Sequence, residues 1–432
     1  MGKIKKKSQK NIVKDLKRHL QTAIDVELST IPIYLYTYYS IIRKPELNSS
    51  SEKQNIQLAT WANKAGGVIM SVAVEEMLHL SLASNILKAL GGKPKIYKRS
   101  PDHYPTNLED HALGFSIGLT KLKESQLQGF MGIEKPEEPG DVAQGDQWET
   151  IGQFYQYISN LVEQTVDAHY IGNADYQLTD GRGYYAPNNV DTIYPTDMGY
   201  LKTPLDKKCP SQRGAKQANY PNSDDSGGLK EINCKADALA AIQEISHQGE
   251  GFIHEPDHKY DDPKHLEESH WYKFKSLFEE LAEMGLSEKE RKAFVYDFPD
   301  SPKVSDFDEK YHPILHLSDA VYSYLLWMTE ASFTLKGSAQ SSMFYIGMHK
   351  GMIFILDKLI GAVRETKTTD GVQLAPCFQN YKFKSKRTAK RELVKLCKKV
   401  IEDKTFSLSN DIFQRIKDLP DVYVVDNVVS FA

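Results

Sequence analysis

The chain has 432 residues, with 54 Lys and Arg against 58 Asp and Glu, a formal net charge of −4. That near balance lacks the basic excess of a dedicated nucleic-acid-binding domain. The length suits either two to three domains or one large elaborated domain. Four cysteines, Cys209, Cys234, Cys377 and Cys397, are scattered without a CxxC pair, which argues against a disulfide framework and a thiolate zinc site. A metal would have to be held by carboxylate oxygen and imidazole nitrogen, and 58 acids with 13 histidines supply both.

The basic start MGKIKKKSQK is followed by no apolar run, so a secretory signal is not expected. Lys6 stands where a myristoylation motif needs Ser or Thr. The stretches 313–335 and 341–363 are apolar and long, but Asp319 and Glu330 interrupt the first and Lys350, Asp357 and Lys358 the second. They read as buried helices rather than membrane spans, and the expected compartment is the cytoplasm.

In chain order, residues 12–42 read as a helix whose face carries Leu16, Leu20, Ala23, Glu27, Ile31, Tyr34 and Tyr38, with Pro32 expected to kink it just after Glu27. A polar loop covers 44–54. A second helix covers about 65–90 and stops at Gly91-Gly92, with Pro94 beyond. Residues 98–110 are loop, and a third helix is expected over 149–170. Residues 171–230 are rich in Gly, Asn, Asp, Pro and Tyr and read as a long irregular insertion with short strands near 184–200. Helices follow at about 235–249 and 263–284, joined by the His-rich loop GFIHEPDHKYDD. Residues 287–312 are a short helix and loop. Long helices fill 313–335 and 341–366. The tail holds a basic helix at 386–403, a short helix near 408–418 and the apolar run VYVVDNVVSF.

The informative residues are acids and histidines on apolar helix faces. Glu27 lies among Leu20, Ala23, Ile31 and Tyr34. Glu76 and His79 lie among Val72, Ala73, Leu80 and Ala83. A buried carboxylate must be paired, protonated or metal-bound. Glu-x-x-His places carboxylate and imidazole one helical turn apart, within reach of one ion. A second Glu-x-x-His, Glu267 with His270, opens the stripe Phe274, Leu277, Leu281. Glu250 sits between two glycines just upstream.

The order Glu, Glu-x-x-His, Glu, Glu-x-x-His is the inventory of a ferritin-like di-metal bundle. Single motifs are weak: Glu244 and His247 form a third by chance. Glu27 reads equally as a ligand or a buried ion pair, and Glu267 equally as a ligand or a solvated helix start. His254, His258 and His265 are expected to face solvent. Tyr34, Tyr36, Tyr38 and Tyr39 read as packing with polar tips, and Met343, Met348 and Met352 as core. No GxGxxG, Walker A or GxSxG motif occurs.

Three segments carry a family resemblance. Glu27-Leu28-Ser29-Thr30-Ile31-Pro32-Ile33-Tyr34-Leu35-Tyr36, then Glu75-Glu76-Met77-Leu78-His79-Leu80 running on to Gly91-Gly92-Lys93-Pro94, resemble the first two helices of the ferritin-like domain of iminophenyl-pyruvate dimer synthases. Looser matches are Thr150–Tyr155, Gln248–Gly251, Ser269–Phe274 and Ala375–Phe378. Gln153 departs from this pattern, standing where many relatives carry an acid, and the named synthases are far longer.

The resemblance implies an all-α, ferritin-like four-helix bundle over 10–380, with 171–230 inserted and 381–432 as a helical extension. It implies a non-haem metal-dependent oxidase or oxygenase of secondary metabolism, acting on an imino-acid or aryl-pyruvate-like substrate with dioxygen or peroxide. The expected metal ligands are Glu27, Glu76, His79, Glu250, His270 and Glu267, around iron, two ions, with His247, Gln248 and Tyr38 orienting them. Haem stays open, although no CxxCH motif occurs. Neither nucleic acid nor membrane is expected as a partner, a homo-oligomer is possible, and 171–230 with 252–262 would form a lid. The alternatives are an iron-binding protein with a ferroxidase or storage role, and a non-catalytic bundle.

Overall fold

The computed structural model describes residues 8–42, 52–112, 114–137, 140–170, 173–179, 229–249, 269–366, 368–403 and 405–431. Helix α1 (Gln9–Tyr39) starts at Ser8, whose side chain accepts from Asn11 N, and it is buried continuously from Thr22 to Tyr39. A helix apolar all round belongs at the centre of a protein. Pro32 lies inside this unbroken helix and cannot donate to the carbonyl of Leu28. Ser100 Oγ donates to that carbonyl instead, at 3.4 Å, and Tyr104 hydroxyl donates to the Ser29 carbonyl at 2.9 Å. The loop after α2 thus satisfies the turn the proline disturbs.

Helix α2 (Glu52–Ala89) packs along α1 and is longer at its start than its periodicity indicates. It ends as its glycines require: Gly91 adopts φ +76°, Gly91 N donates to Lys88 O at 2.9 Å and Gly92 N to Leu87 O at 2.8 Å. Its segment Lys64–Ala89 is long and apolar enough to cross a membrane, but its apolar window is wholly buried in protein.

Four more helices close the bundle: α3 (Glu124–Ile133), α4 (Ile151–Glu163), α5 (Lys235–Gly249) and α6 (His270–Glu283). α4 packs on α1 and α5, α5 on α2, and α3 on α6. Trp61 Nε1 and Lys64 of α2 both bond Glu280 and fix α6. α3 is absent from the sequence reading. α4 is shorter than expected because Thr165 Oγ1 turns back to Val162 O at 2.6 Å and meets the Tyr170 hydroxyl at 2.8 Å. A 3₁₀ turn at Asp167–Tyr170 follows. The only sheet among the described residues is the pair β1 (Thr106–Asn107) and β2 (Ser116–Ile117). The strands expected at 184–200 lie outside the described residues.

A second group of helices, α7 (His312–Ser332), α8 (Gly337–Phe344), α9 (Asp357–Arg364), α10 (Ala389–Glu402) and α11 (Asn410–Lys417), follows. The single helix expected over 341–366 is α8, a wider π-helical stretch at Tyr345–Leu356, and α9. Gly351 permits close packing there: a Cβ on it would lie 2.3 Å from Leu325 Cδ2 of α7. Asp319, buried in α7, accepts from Gln379 N at 3.1 Å and anchors the segment that passes through Phe378. Of the final apolar run only Val422 is fully buried, with Val424 and Val429 packed against the core. Tyr423, Val425, Val428 and Phe431 are exposed around a turn at Asp426-Asn427, where both residues have positive φ.

Lys390 of α10 is buried and donates to three carbonyls at the end of α11: Ile416 at 3.0 Å, Lys417 at 2.7 Å and Leu419. Burial pushes its ammonium down to about 8, against the pull of Asp421 and Asp418. Lys390→Met strands these carbonyls and is expected to cost about 1–3 kcal/mol at pH 7 in urea unfolding. The unfolded lysine binds its proton up to a pH of about 10.4, so its charging penalty is fully present below 8 and is relieved as pH rises from 8. The wild type's advantage over the variant should therefore widen across that range.

Candidate metal centre

Side chains from α1, α2, α6 and the end of α3 converge in the middle of the bundle. Glu27, Glu76, His79, Glu134 and His270 are each 3% exposed or less. Their carboxylates share one arrangement. One oxygen of each accepts from a hydroxyl: Glu27 Oε1 from Tyr155 at 2.7 Å, Glu76 Oε2 from Thr30 at 2.7 Å, and Glu134 Oε1 from Tyr34. The other oxygen of each faces the imidazoles. His79 Nδ1 is 3.6 Å from Glu76 Oε1 and 3.9 Å from Glu27 Oε2. His270 Nδ1 is 3.1 Å from Glu76 Oε1 and 3.5 Å from Glu134 Oε2. The two rings stack, centroids 5.4 Å apart.

Glu76 therefore belongs to two groups able to hold an ion: Glu27–Glu76–His79 and Glu76–Glu134–His270. Donor atoms about 2.1 Å from one ion stand about 3–3.5 Å apart, close to these separations. His270 Nδ1 is buried and accepts or donates no hydrogen bond, so it is an orphaned polar atom aimed at carboxylates. Nitrogen and oxygen donors of this kind suit iron, manganese or zinc.

The electrostatics agree with a cation. Burial, then the neighbouring Glu76, pushes the Glu27 carboxyl well above the ordinary range. Burial also acts on Glu76, but the adjacent His270 and His79 imidazoles outweigh it and hold that carboxyl well below the range. Burial disfavours charge on His270, yet Glu134, Glu75 and Glu76 push its imidazole well above the ordinary value. A divalent ion would meet the same carboxylates with more charge than an imidazolium. Opposed perturbations in one buried cluster mark a functional site.

Of the residues read from sequence, the structure brings together Glu27, Glu76, His79 and His270. Glu250 and Glu267 lie outside the described residues, as do His254, His258 and His265. Gln248 accepts from His79 Nε2 at 3.0 Å, whereas Tyr38 stacks edge-on against Tyr39. Sequence reasoning missed Glu134, Glu75, Lys273, Thr30 and Tyr155. Glu134 follows Leu127, Phe130 and Ile133, the buried stripe of α3. That stripe was the available signal, but EKPEEP reads as a solvated acidic loop. Gln153 is not a vacant ligand position. Its Oε1 accepts from Thr150 N at 3.0 Å while Thr150 Oγ1 accepts from Gln153 N, a reciprocal cap on α4.

A helical bundle with a buried carboxylate–histidine centre on its axis defines a class, and the comparisons agree. The sequence model described as "Ferritin-like" matches residues 20–279, and the chain belongs to this all-α ferritin-like family. Proteins of this family usually bind iron, and the buried Glu/His clusters can hold a metal. A 137-residue segment is 28% identical to the 2-imino-3-(indol-3-yl)propanoate dimerase of Chromobacterium violaceum, covering 28% of this chain and 13% of that protein. A crystal structure of a ferritin-like protein from Caulobacter vibrioides superposes with a TM-score of 0.47 at 20% identity, over 80% of this chain and 93% of that one.

Glu27→Gln tests the electrostatics. A carboxyl whose folded pKa is raised costs stability as pH climbs past about 4.3. The metal-free variant should be more stable than wild type by about 1–3 kcal/mol at pH 7 and equal to it near pH 4, by urea unfolding in chelator. The same variant should bind metal less tightly.

Proposed function

We propose that this protein is a non-haem, iron-dependent oxidase or oxygenase with a two-ion Glu/His centre, acting on an amino-acid-derived imino acid or aryl pyruvate. The observation that carries this reading is Glu76 Oε1 standing between His79 Nδ1 and His270 Nδ1, with Glu27 and Glu134 on either side. Glu27, Glu76 and His79 would hold one ion, and Glu76, Glu134 and His270 the other. When bound, the ions supply a route for electrons from substrate to dioxygen or peroxide.

The chain's own residues do the rest. Thr30, Tyr34 and Tyr155 each tie down one carboxylate oxygen and aim its partner inward. Burial and Glu134 push the Tyr34 hydroxyl well above its ordinary pKa, so it stays a neutral donor. Tyr34, Phe130 and Phe274 pack ring against ring, with centroids 4.7–5.4 Å apart, and form a dry wall beside Glu134. Loading a cation would release protons from Glu27 and His270.

The substrate class follows the relative in Chromobacterium, whose name states dimerisation of an indolic imino acid. Joining two such molecules with loss of two hydrogen atoms yields two electrons and two protons. Dioxygen would take these up as hydrogen peroxide, or peroxide as water. The substrate and oxidant are small molecules, and the reading needs neither nucleic acid nor membrane.

The test is metal analysis and optical spectroscopy of protein prepared anaerobically, beside a Glu76→Ala/His79→Ala variant. About two irons per chain without a Soret band, lost in the variant, is expected. Consumption of oxygen with an aryl pyruvate and ammonia should fall at least about 100-fold in the variant. Equal metal content in both proteins, or a haem spectrum, would overturn the reading. A large shell by size-exclusion chromatography would point to storage.

A further inference from the structure

Two hydrogen-bond chains run outward from the centre, and they differ in charge. His79 Nε2 pairs with Gln248 Oε1 at 3.0 Å, and Gln248 Nε2 donates to Glu244 Oε1 at 3.3 Å. Glu244 Oε2 then meets Lys230 Nζ at 3.0 Å. The amide is oriented by Glu244, so its oxygen faces His79 and takes the Nε2 proton. His270 Nε2 instead meets Glu75 Oε2 at 2.8 Å, and the same oxygen accepts from Lys273 Nζ at 2.7 Å. One imidazole leans on a neutral amide and the other on a carboxylate.

That difference has consequences for the inward nitrogens. A carboxylate accepting the outer N–H strengthens the opposite nitrogen as a donor more than an amide does. Glu75 and Lys273 are 2% and 4% exposed, so the two form a buried ion pair in which the cation offsets the cost of burying the carboxylate. Position couples the pair to the centre. Lys273 lies one turn after His270 on α6, and Glu75 precedes Glu76 on α2.

We infer that Lys273 is a positioning residue: through Glu75 it holds His270 with Nδ1 turned inward as a donor, and it makes the two ion positions unequal, the one at Glu76, Glu134 and His270 filling first. This rests on the two-ion centre proposed above. The competing role is plain adhesion of α6 to α2, which would alter stability without altering the order of filling.

Cobalt(II) is the probe. Metal-free full-length protein is titrated anaerobically, followed by visible absorption and calorimetry, with thermal melts alongside. Wild type should bind in two steps that differ by about ten-fold or more in affinity. Lys273→Met alone takes the cation from a buried carboxylate and should melt lower. The double variant Glu75→Gln/Lys273→Met removes both charges together and keeps the fold. It should weaken the tighter step by about 10–100-fold and leave the other unchanged, so that the two steps merge. Two equal steps in wild type, or an unchanged tight step in the double variant, would overturn the inference and leave the metal centre standing. No cobalt binding in wild type would overturn the centre itself.

Discussion

The dependence that organises this protein is the desolvation of carboxylates on the axis of a helical bundle. Glu27, Glu76 and Glu134 sit where water does not reach, and each would be costly alone. The surrounding architecture is arranged to meet that cost. Hydroxyls from α1 and α4 take one oxygen of each acid. Imidazoles from α2 and α6 face the other, and Glu75 and Lys273 hold one imidazole from behind. The helices that supply these groups are the ones that pack on one another, so the core and the centre are a single construction.

The first two helices were readable in sequence because their chemistry contradicts their periodicity. A Glu on a stripe of Leu, Ala and Ile, or a Glu and His one turn apart among Val and Ala, has few solvated explanations. Glu27, Glu76, His79 and His270 therefore stood out by pattern as candidates, before the family resemblance made them an expected ligand set. Glu134 did not, because it lies just past the end of a short helix in an acid- and proline-rich stretch, where composition resembles a surface loop. Thr30 and Tyr155 are invisible for another reason. Hydroxyls are common on buried faces, and only three-dimensional placement shows which of them meets a carboxylate.

Gln153 shows how a sequence departure can mislead. Read against relatives, it is a lost acid. Read in its helix, it closes the first turn of α4 with Thr150, and two residues on, Tyr155 reaches Glu27 from the same helix. The third expected helix was also too long, since Thr165 and Tyr170 close a turn that periodicity cannot foresee.

Glu134 is also the C-cap of α3, its backbone N–H donating to Phe130 O. The carbonyls of a helix's last turn carry partial negative charge, on the order of half an elementary charge. The last turn of α3 therefore adds to the negative potential near Glu134, beyond the charge of that side chain. That contribution comes from backbone carbonyls and not from any side chain. Shortening or unwinding α3 would leave every donor atom in the chain yet lower the attraction for a cation near Glu134.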